Sequence, residues 1–272
     1  MPKTKSFNFT KTLTESAVML ALTVVLSYLK LLDLPYGGSI TLCSMLPPIL
    51  IAYRHGIGWG FSVGIANGLL QLLMGVSNLS YATSAAAAVA IIFLDYILAF
   101  TVTGFGGIFK KVFKSQTVSL VCGTAFVAVL RYVFHVISGC TVWAGLSIPT
   151  NEAFIYSLAY NATYMLPELL IAVAGAAYIS GAIGLEGEGL TRISKSGAKS
   201  TFILKAIGAL CGVAAFIADI LLIAPHLQNG ESGDFDITGI VNIDFTLVGI
   251  ITLAGAVLFS LFAVIANKKA KK

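Results

Sequence analysis

Apolar residues recur along this chain in eight long runs that are separated by short polar stretches. The runs cover approximately residues 15–32, 40–53, 57–75, 84–104, 118–143, 153–182, 202–224 and 245–266. Crossing a ~30 Å hydrocarbon layer takes about 20 helical residues at ~1.5 Å each, and most of the runs reach that length. The pattern predicts an all-α integral membrane protein with about eight membrane segments. The second run is short and contains Pro47 and Pro48, which predicts a short or broken helix packed inside the bundle.

Composition and charge agree with a membrane protein and suggest its orientation. Of the 272 residues, 57% are apolar and 11% are charged, and the mean hydropathy is +0.92. Such values lie outside the range of soluble domains. If the amino terminus is cytoplasmic, all of the 17 basic residues except Lys30 and Arg131 fall on the cytoplasmic side, as the positive-inside rule requires. We therefore expect both termini in the cytoplasm, and the net charge of +5 does not indicate nucleic-acid binding.

The motifs of several enzyme classes are missing from the sequence. It contains no phosphate-binding loop, no H-E-x-x-H helix and no G-x-S-x-G turn, so an ATPase, a zinc peptidase and a serine hydrolase are disfavoured. Cys43, Cys122, Cys140 and Cys211 lie in or beside apolar runs without C-x-x-C spacing. Buried free thiols are therefore expected, with a Cys43–Cys140 disulfide near the outer face as the alternative.

Polar side chains occur within the apolar runs, where a membrane would otherwise exclude them. They are Asp95, Arg131, His135, Asn161, Glu168 and Asp219. A charge in mid-membrane costs from ~2.5 kcal/mol upward, so each of these residues should face the bundle interior and have a partner. Arg131 and Glu168 are expected to form a buried ion pair that holds two helices together. The sequence offers no evident partner for Asp219.

Some of these residues, with nearby aromatic rings, indicate a binding site in the outer half of the membrane. His135 lies about two turns before the outer end of the fifth run, and Tyr156 and Asn161 lie in the first turns of the sixth. With Asp95 and Trp143 they would meet near one depth. Aromatic rings stack on a flat cation, a carboxylate matches its donors, and an amide recognises its edge. The set therefore favours a flat, cationic, hydrogen-bonding solute.

Six segments in the first two thirds of the chain form a recognisable series. They are "GGSITLCSMLP" (37–47), "YRHG" (53–56), "GLLQLL" (68–73), "FLDYILAF" (93–100), "RYVFH" (131–135) followed eight residues later by Trp143, and "YNATYMLPE" (160–168). In order, over residues 10 to 185, the chain resembles the thiamine-specific substrate-binding (S) subunits of energy-coupling factor (ECF) transporters, the ThiT/YuaJ family. The resemblance implies a six-helix subunit without ATPase activity. Such a subunit captures thiamine outside and passes it to two ATPases and a transmembrane coupling protein.

The resemblance also implies roles for individual residues. The substrate would be bound by the carboxylate of Asp95, by its neighbour Tyr96, by His135, by the stacking Trp143, and by the hydrogen-bonding Tyr156 and Asn161.

The first helix contains a pair of small residues, Ala17 and Ala21, one turn apart. Such a pair allows another helix to approach closely. In the family it resembles, an alanine pair of this kind docks the subunit on its coupling protein, whereas the alternative is packing within this chain.

The resemblance divides the chain in two. Residues 1–185 would form an S-component-like membrane domain with the thiamine site, and residues 186–272 a cytoplasmic linker and an extra transmembrane helix pair. The expected location is a prokaryotic plasma membrane, and the expected partners are thiamine, the ECF energising module and the lipid bilayer. No cofactor, metal or nucleic acid is expected.

Two other functions fit parts of the pattern. Asp95 is shorter than the family's glutamate, and Asn67 stands where an aromatic residue is common, so the ligand could be another flat vitamin or a precursor. Alternatively, Asp95 and His135 could serve as base and acid of an intramembrane enzyme. The enzyme hypothesis is the weaker one, because the sequence offers no nucleophile or metal set around the pair.

Overall fold

The structure, a computed structural model, describes residues 8–34, 37–82, 84–140, 151–187, 189–193, 198–227 and 237–270. Its α-helices are α1 (Phe9–Tyr28), α2 (Leu46–His55), α3 (Ile57–Met74), α4 (Ala85–Ile91), α5 (Ala99–Thr101), α6 (Gln116–Ser138), α7 (Asn151–Ala182), α8 (Ala198–Ile223) and α9 (Phe245–Ala270). A π-helical stretch (Ile92–Leu98) joins α4 to α5, and a 3-10 stretch (Val102–Lys111) follows α5. Shorter 3-10 helices cover Val76–Tyr81, Ala224–Leu227 and Ile237–Asn242.

Each of the eight predicted segments contains a helix, so the predicted helical membrane fold is confirmed. Within the described residues, six helical segments are long and apolar enough to cross a membrane. They are Phe9–Tyr28, Ile57–Met74, Ala85–Lys111, Gln116–Ser138, Phe154–Ala182 and Ile203–Leu227. Helix α9 supplies a shorter apolar stretch, Phe245–Phe259, and α2 is the short helix predicted around Pro47 and Pro48.

Two small antiparallel strand pairs are additions that the hydrophobic pattern did not predict. Strands β1 (Lys30–Asp33) and β2 (Ser39–Thr41) pair between α1 and α2. Strands β3 (Ile183–Gly184) and β4 (Thr191–Arg192) pair after α7. The first apolar run therefore stops being helical at Tyr28, earlier than the predicted residue 32, because the following residues pair with β2.

Polar caps and proline set several helix starts. The side chains of Asn8, Ser84 and Ser115 accept hydrogen bonds from backbone N–H groups in the first turns of α1, α4 and α6. Pro47 lies in the first turn of α2, where a missing N–H costs nothing. Gly56 joins α2 to α3 with a φ of +99°, a conformation that residues with a side chain rarely adopt.

The core of the first unit surrounds α2. Nine of the ten residues of α2 are buried, which confirms that this short helix packs inside the bundle. Side chains of α6 and α7, among them Leu120, Val127 and Ala172, pack against Met45 and Ile49. Because α2 is enclosed by protein, its ten residues do not have to span the hydrocarbon layer.

Helix α1 has the reverse pattern of a helix in a soluble protein. Its buried residues are Thr12, Ser16, Thr23 and Ser27, whereas its exposed positions are largely apolar. A lipid environment explains this arrangement, because lipid chains accept apolar side chains and hydroxyl groups find hydrogen-bond partners inside the bundle.

The chain forms two compact units, Met1–Ile193 and Ser194–Lys272. The division lies after the predicted boundary at residue 185, because the stretch after α7 is bonded into the first unit. The Gln116 side chain accepts a hydrogen bond from the Leu185 N–H and donates to the Ile183 carbonyl. In the second unit, α8 and α9 pack against each other as a helical hairpin.

Candidate functional site

The π-helical stretch Ile92–Leu98 carries two of the predicted site residues, Asp95 and Tyr96. Helix α3 packs closely against it: a Cβ atom added to Gly68 would lie 2.7 Å from the Tyr96 carbonyl oxygen. Glycine is therefore required at position 68 for the two segments to approach this closely. Short π-helical stretches occur frequently at functional sites, and this one changes the direction in which Asp95 projects.

Asp95 and His135 lie in direct contact within the first unit. The Asp95 Oδ1 atom is 2.8 Å from His135 Nδ1, and the Ser138 hydroxyl donates to Asp95 Oδ2 at 2.5 Å. Both side chains are largely buried, with exposed fractions of 15% for Asp95 and 12% for His135. Within the described part of the chain, the buried Nε2 atom of His135 has no hydrogen-bond partner. One imidazole nitrogen of the pair is therefore buried with its hydrogen-bonding capacity unused by the described residues.

Asn161 joins α6 to α7 beside this pair. Its Nδ2 atom donates to the carbonyl oxygens of Ser157, at 2.8 Å, and His135, at 3.3 Å. Its Oδ1 atom accepts a 2.6 Å hydrogen bond from the Tyr164 hydroxyl. The amide is thus bonded on both sides to protein groups, and its predicted contact with a ligand stays a prediction.

Three tyrosines follow one face of α7 at intervals of four residues. The rings of Tyr156 and Tyr160 are stacked with their centroids 6.1 Å apart, and Tyr164 meets Tyr160 edge-on at 5.8 Å. Tyr164 also lies edge-on to the His135 ring, at 6.1 Å. The Gly38 N–H donates to the Tyr160 hydroxyl at 3.2 Å, which brings the hairpin of β1 and β2 to the same row of rings. An aromatic row therefore leads from the N-terminal part of α7 to His135.

Tyr96 is buried and its hydroxyl is bonded to protein groups. It donates to the Gly75 carbonyl oxygen at 2.9 Å and accepts from the Asn78 amide at 3.0 Å. These bonds hold the Val76–Tyr81 helix against the π-helical stretch. Trp143 lies outside the described residues, so its predicted stacking role stays a prediction, as does the ligand contact of Tyr96.

Sequence reasoning missed four residues that surround the pair. They are Ser138, Ser157, Tyr160 and Tyr164. Two signals could have identified three of them. Ser138 lies three residues after His135, on the same helix face, and Tyr160 and Tyr164 continue the four-residue spacing that begins at Tyr156.

The expected pair of Arg131 and Glu168 is present in the structure. Arg131 Nη1 lies 3.6 Å from Glu168 Oε2, and both side chains are 7% exposed. The other carboxylate oxygen, Glu168 Oε1, accepts hydrogen bonds from the Thr41 N–H at 3.1 Å and the Thr41 hydroxyl at 2.5 Å. The guanidinium also lies over the Phe100 ring, 4.6 Å from its centroid. Glu168 therefore connects α7 to α6 and to strand β2.

Replacing Glu168 with alanine should lower the free energy of unfolding by ~3–5 kcal/mol, because the Arg131 guanidinium would stay buried without a carboxylate. The midpoint of thermal unfolding in detergent measures the effect. Glu186→Ala is a matched control, because Glu186 is exposed after α7. Equal midpoints for the two variants would contradict a stabilising role for the pair.

Asp219, for which the sequence suggested no partner, has one on the neighbouring helix. The Thr252 hydroxyl of α9 donates to Asp219 Oδ2 at 2.6 Å. The residues are 33 positions apart, and the hairpin of α8 and α9 brings them together. Asp219 therefore contributes to the packing of the second unit.

The alanine pair of α1 lies on the exposed side of the helix. Both Ala17 and Ala21 are exposed, and they are flanked by exposed Leu13, Val18 and Leu22. Neither alanine belongs to the buried face that packs in the bundle, so a second helix can reach the pair from outside.

Metal binding and disulfide formation find no support in the described residues. No group of three or more His, Cys, Asp or Glu side chains in that part of the chain is placed to hold a metal ion. Cys43, Cys122, Cys140 and Cys211 are all free thiols. The alternative of a Cys43–Cys140 disulfide is therefore wrong.

The helices and the site define the class of this chain: a multi-pass membrane protein with a small, largely buried, polar and aromatic site in its first unit. Comparison with known proteins then identifies the family. The family described as "Thiamine transporter protein (Thia_YuaJ)" matches residues 13–182, and the chain belongs to this family.

Two known proteins illustrate the similarity. The thiamine transporter ThiT of Bacillus subtilis (strain 168) is 36% identical over 170 residues, which cover 58% of this chain and 84% of that protein. A solved structure of ThiT from Listeria monocytogenes is 25% identical and superimposes with a TM-score of 0.50, covering 62% of this chain and 93% of the other. The family match ends within the first unit, at the end of α7.

Proposed function

We propose that this chain is the high-affinity thiamine-binding subunit of an ECF-type vitamin importer. It would bind thiamine at the outer face of a prokaryotic cell membrane, with both termini in the cytoplasm, and deliver it through a separate module of two ATPases and a transmembrane coupling subunit. The family assignment and the named transporters among its relatives support this proposal over an intramembrane enzyme.

The observation that carries the proposal is the Asp95–His135 contact, with an imidazole nitrogen that has no hydrogen-bond partner among the described residues. His135 Nδ1 lies 2.8 Å from Asp95, so in the neutral ring Nδ1 carries the proton and Nε2 is an acceptor. Thiamine joins an aminopyrimidine to a cationic thiazolium ring. Its exocyclic amine can donate to Nε2, and the carboxylate of Asp95 favours the positive charge nearby.

The tyrosine row of α7 suits the rest of such a ligand. The aromatic faces of Tyr156, Tyr160 and Tyr164 lead from the outer end of the helix toward His135. Flat rings stack on aromatic side chains, and a cation gains further attraction from their faces. Trp143, which lies outside the described residues, is the predicted stacking partner of the ligand.

Tryptophan fluorescence provides a direct test of this site. The chain has two tryptophans, Trp59 and Trp143. We expect thiamine to quench the emission, because a pyrimidine stacked on Trp143 would contact its indole. Trp59 should not respond, because its indole N–H donates to Ser16 on the inner face of α1. The measurement is an equilibrium titration of the purified protein in detergent.

The control is the same titration with Trp143→Phe, which leaves Trp59 as the sole indole. Loss of the quench with this variant supports the site. A quench of undiminished amplitude would place the ligand away from Trp143 and would contradict the proposed stacking on this residue.

The exposed alanine pair supports delivery through a coupling partner. The sequence contains no phosphate-binding loop, so energy for uptake would come from other subunits. Ala17 and Ala21 are exposed on α1 and small enough for a partner helix to approach closely.

A related vitamin or precursor is the second candidate ligand, and Asn67 favours it. Asn67 is fully buried in α3, and in the described part of the chain neither atom of its amide has a hydrogen-bond partner. A buried amide without partners has hydrogen-bonding capacity to offer. Competition titrations of thiamine with other flat vitamins would separate the candidates, because the true ligand must displace the others at the lowest concentration.

A further inference from the structure

The apolar surface of helix α1 does not explain what fixes the rotation of the helix about its own axis. In a membrane, apolar side chains gain little by facing protein instead of lipid, so hydrophobic burial alone cannot fix the rotation. The buried face of α1 is a stripe of hydroxyl residues, and the helix contacts mainly α2 and α3. Hydrogen bonds and charge pairs must therefore set the orientation of this helix.

The bonds from α1 to its neighbours are concentrated around Glu15. Glu15 Oε2 lies 3.1 Å from Arg54 Nε, and Oε1 lies 3.1 Å from Arg54 Nη2, so the carboxylate and the guanidinium form a two-point contact. Glu15 Oε2 also lies 2.7 Å from His55 Nε2. A two-point contact between a planar guanidinium and a carboxylate fixes the relative orientation of the two side chains and also pairs their charges.

Arg54 is fixed independently of α1. Its side chain is 3% exposed, and its Nη1 atom donates to the Leu185 carbonyl after α7 at 2.8 Å. The carboxylate of Glu15 therefore meets a guanidinium that α2 and the end of α7 already hold in place. At the next position of α1, the Ser16 hydroxyl accepts a 2.8 Å hydrogen bond from Trp59 Nε1 of α3.

We infer that Glu15 is a positioning residue for docking: it fixes the rotation of α1 so that Ala17 and Ala21 face out of the bundle. This inference rests on the proposed function, in which the alanines contact the coupling subunit. At about 100° per residue, Ala17 and Ala21 lie about 200° and 240° from Glu15 around the helix. Seating Glu15 on Arg54 therefore directs both alanines to the opposite, exposed side, as the structure has them.

The test compares Glu15→Gln with Thr23→Ala. Glutamine keeps the size of Glu15 but loses the charge that matches Arg54. Thr23 is a matched control on the same buried stripe, because its hydroxyl donates to the Met19 carbonyl of its own helix at 3.0 Å. Three quantities are measured for each variant: thiamine affinity of the purified protein, thiamine uptake by cells that contain the energising subunits, and accessibility of Trp59.

The fluorescence of Trp59 reports directly on how α1 packs against α3. Its indole is bonded to Ser16, and its ring meets Phe9 of α1 edge-on at 5.8 Å. In a Trp143→Phe background without thiamine, Trp59 is the sole indole, and acrylamide quenching of its emission measures how well α1 covers it. A residue that only added stability, without fixing the rotation of α1, would not change this quenching in the folded protein.

We expect Glu15→Gln to keep thiamine affinity within about twofold, because the binding site lies away from the cytoplasmic end of α1. Uptake should fall about fivefold or more, and Trp59 quenching should increase. Thr23→Ala should change none of the three quantities. Ser16→Ala, a milder variant that removes one bond from α1 to α3, should shift quenching and uptake in the same direction as Glu15→Gln.

Each other outcome overturns the inference. If Glu15→Gln leaves uptake or Trp59 quenching unchanged, Glu15 does not position α1. If it lowers thiamine affinity as strongly as uptake, its role is general stability. The double variant Ala17→Leu/Ala21→Leu, measured in parallel, separates this inference from the proposed function. Normal uptake by that variant would refute docking through α1, whereas reduced uptake with a normal Glu15→Gln variant would refute only the positioning role.

Discussion

Replacing Asp95 with asparagine is expected to weaken thiamine binding by about tenfold or more, since loss of a hydrogen bond to a charged group costs ~1.5–3 kcal/mol. Asparagine keeps the shape of Asp95 but removes the charge that faces His135 Nδ1 at 2.8 Å. Asparagine also replaces one acceptor oxygen with a donor NH2 group, which cannot accept the hydrogen bond from Ser138 or from the imidazole N–H. The variant would therefore disturb one of the two hydrogen bonds that Asp95 accepts, from His135 or from Ser138, and remove the local charge.

The measurement is an equilibrium titration of purified protein, with thermal unfolding as a check of folding. Asp33→Asn is a matched control: Asp33 is also a carboxylate of the first unit, in β1, but its side chain is 60% exposed and pairs with Lys30. The control should bind normally. If Asp95→Asn gives the same titration curve as Asp33→Asn, the Asp95 site is not where thiamine binds.

His135→Ala should have a similar effect, and a double-mutant cycle with Asp95→Asn reveals whether the residues act together. If two contacting residues act together on one ligand, the double variant loses less binding free energy than the sum of the losses of the two single variants. Additive losses would mean that Asp95 and His135 contact the ligand independently.

Replacing both Ala17 and Ala21 with leucine should separate capture from transport. Thiamine affinity of the purified protein should stay near normal, because the proposed site lies among α6, α7 and the π-helical stretch. Uptake by cells that contain the energising subunits should fall by about tenfold or more, because leucine side chains would block the approach of a partner helix. Binding and uptake are measured on the same variant.

Val25→Leu is the matched control, because Val25 is an exposed apolar residue of α1 that already has a branched side chain. It should leave both quantities unchanged. If binding and uptake of the alanine variant fall together, the alanines serve packing within this chain. If neither falls, α1 does not form the contact with the coupling subunit.

The helices of this protein could be predicted from the sequence because membrane crossing demands a minimum apolar length. The orientation of each helix could not, because a helix that is apolar on most sides gives no sign of which side faces protein. Helix α1 shows the difference: its run was evident, but its buried hydroxyl stripe emerges only from the packing of α1 on α2 and α3.

Partners distant in sequence were the hardest to predict. Arg131 and Glu168 could be paired because both are conspicuous charges in apolar runs. Thr252 could not be assigned to Asp219, because a threonine in a membrane helix is unremarkable. Arg54 was counted with the cytoplasmic charges, yet its guanidinium is buried against Glu15, since the positive-inside rule locates charges without identifying their partners.

The candidate site residues were predicted as a group, and the structure brings Asp95, His135 and Asn161 together at the junction of the π-helical stretch, α6 and α7, with Tyr156 stacked on Tyr160 in α7. Their direct bonds could not be predicted, because the π-helical stretch changes the facing of Asp95. An α-helical pattern contains no signal for that change.

The π-helical stretch also bears on how this site could tolerate insertions and deletions over time. A π turn closes one residue later than an α turn, so it amounts to one residue added to an otherwise regular helix. Deleting one residue from Ile92–Leu98 would restore a regular helix and remove the local widening that sets the direction of Asp95, with little net rotation between the two flanks. Asp95 would then turn away from His135 while α4 and α5 stayed helical. A change of length at this point therefore alters what the site recognises without unfolding the segment that carries it.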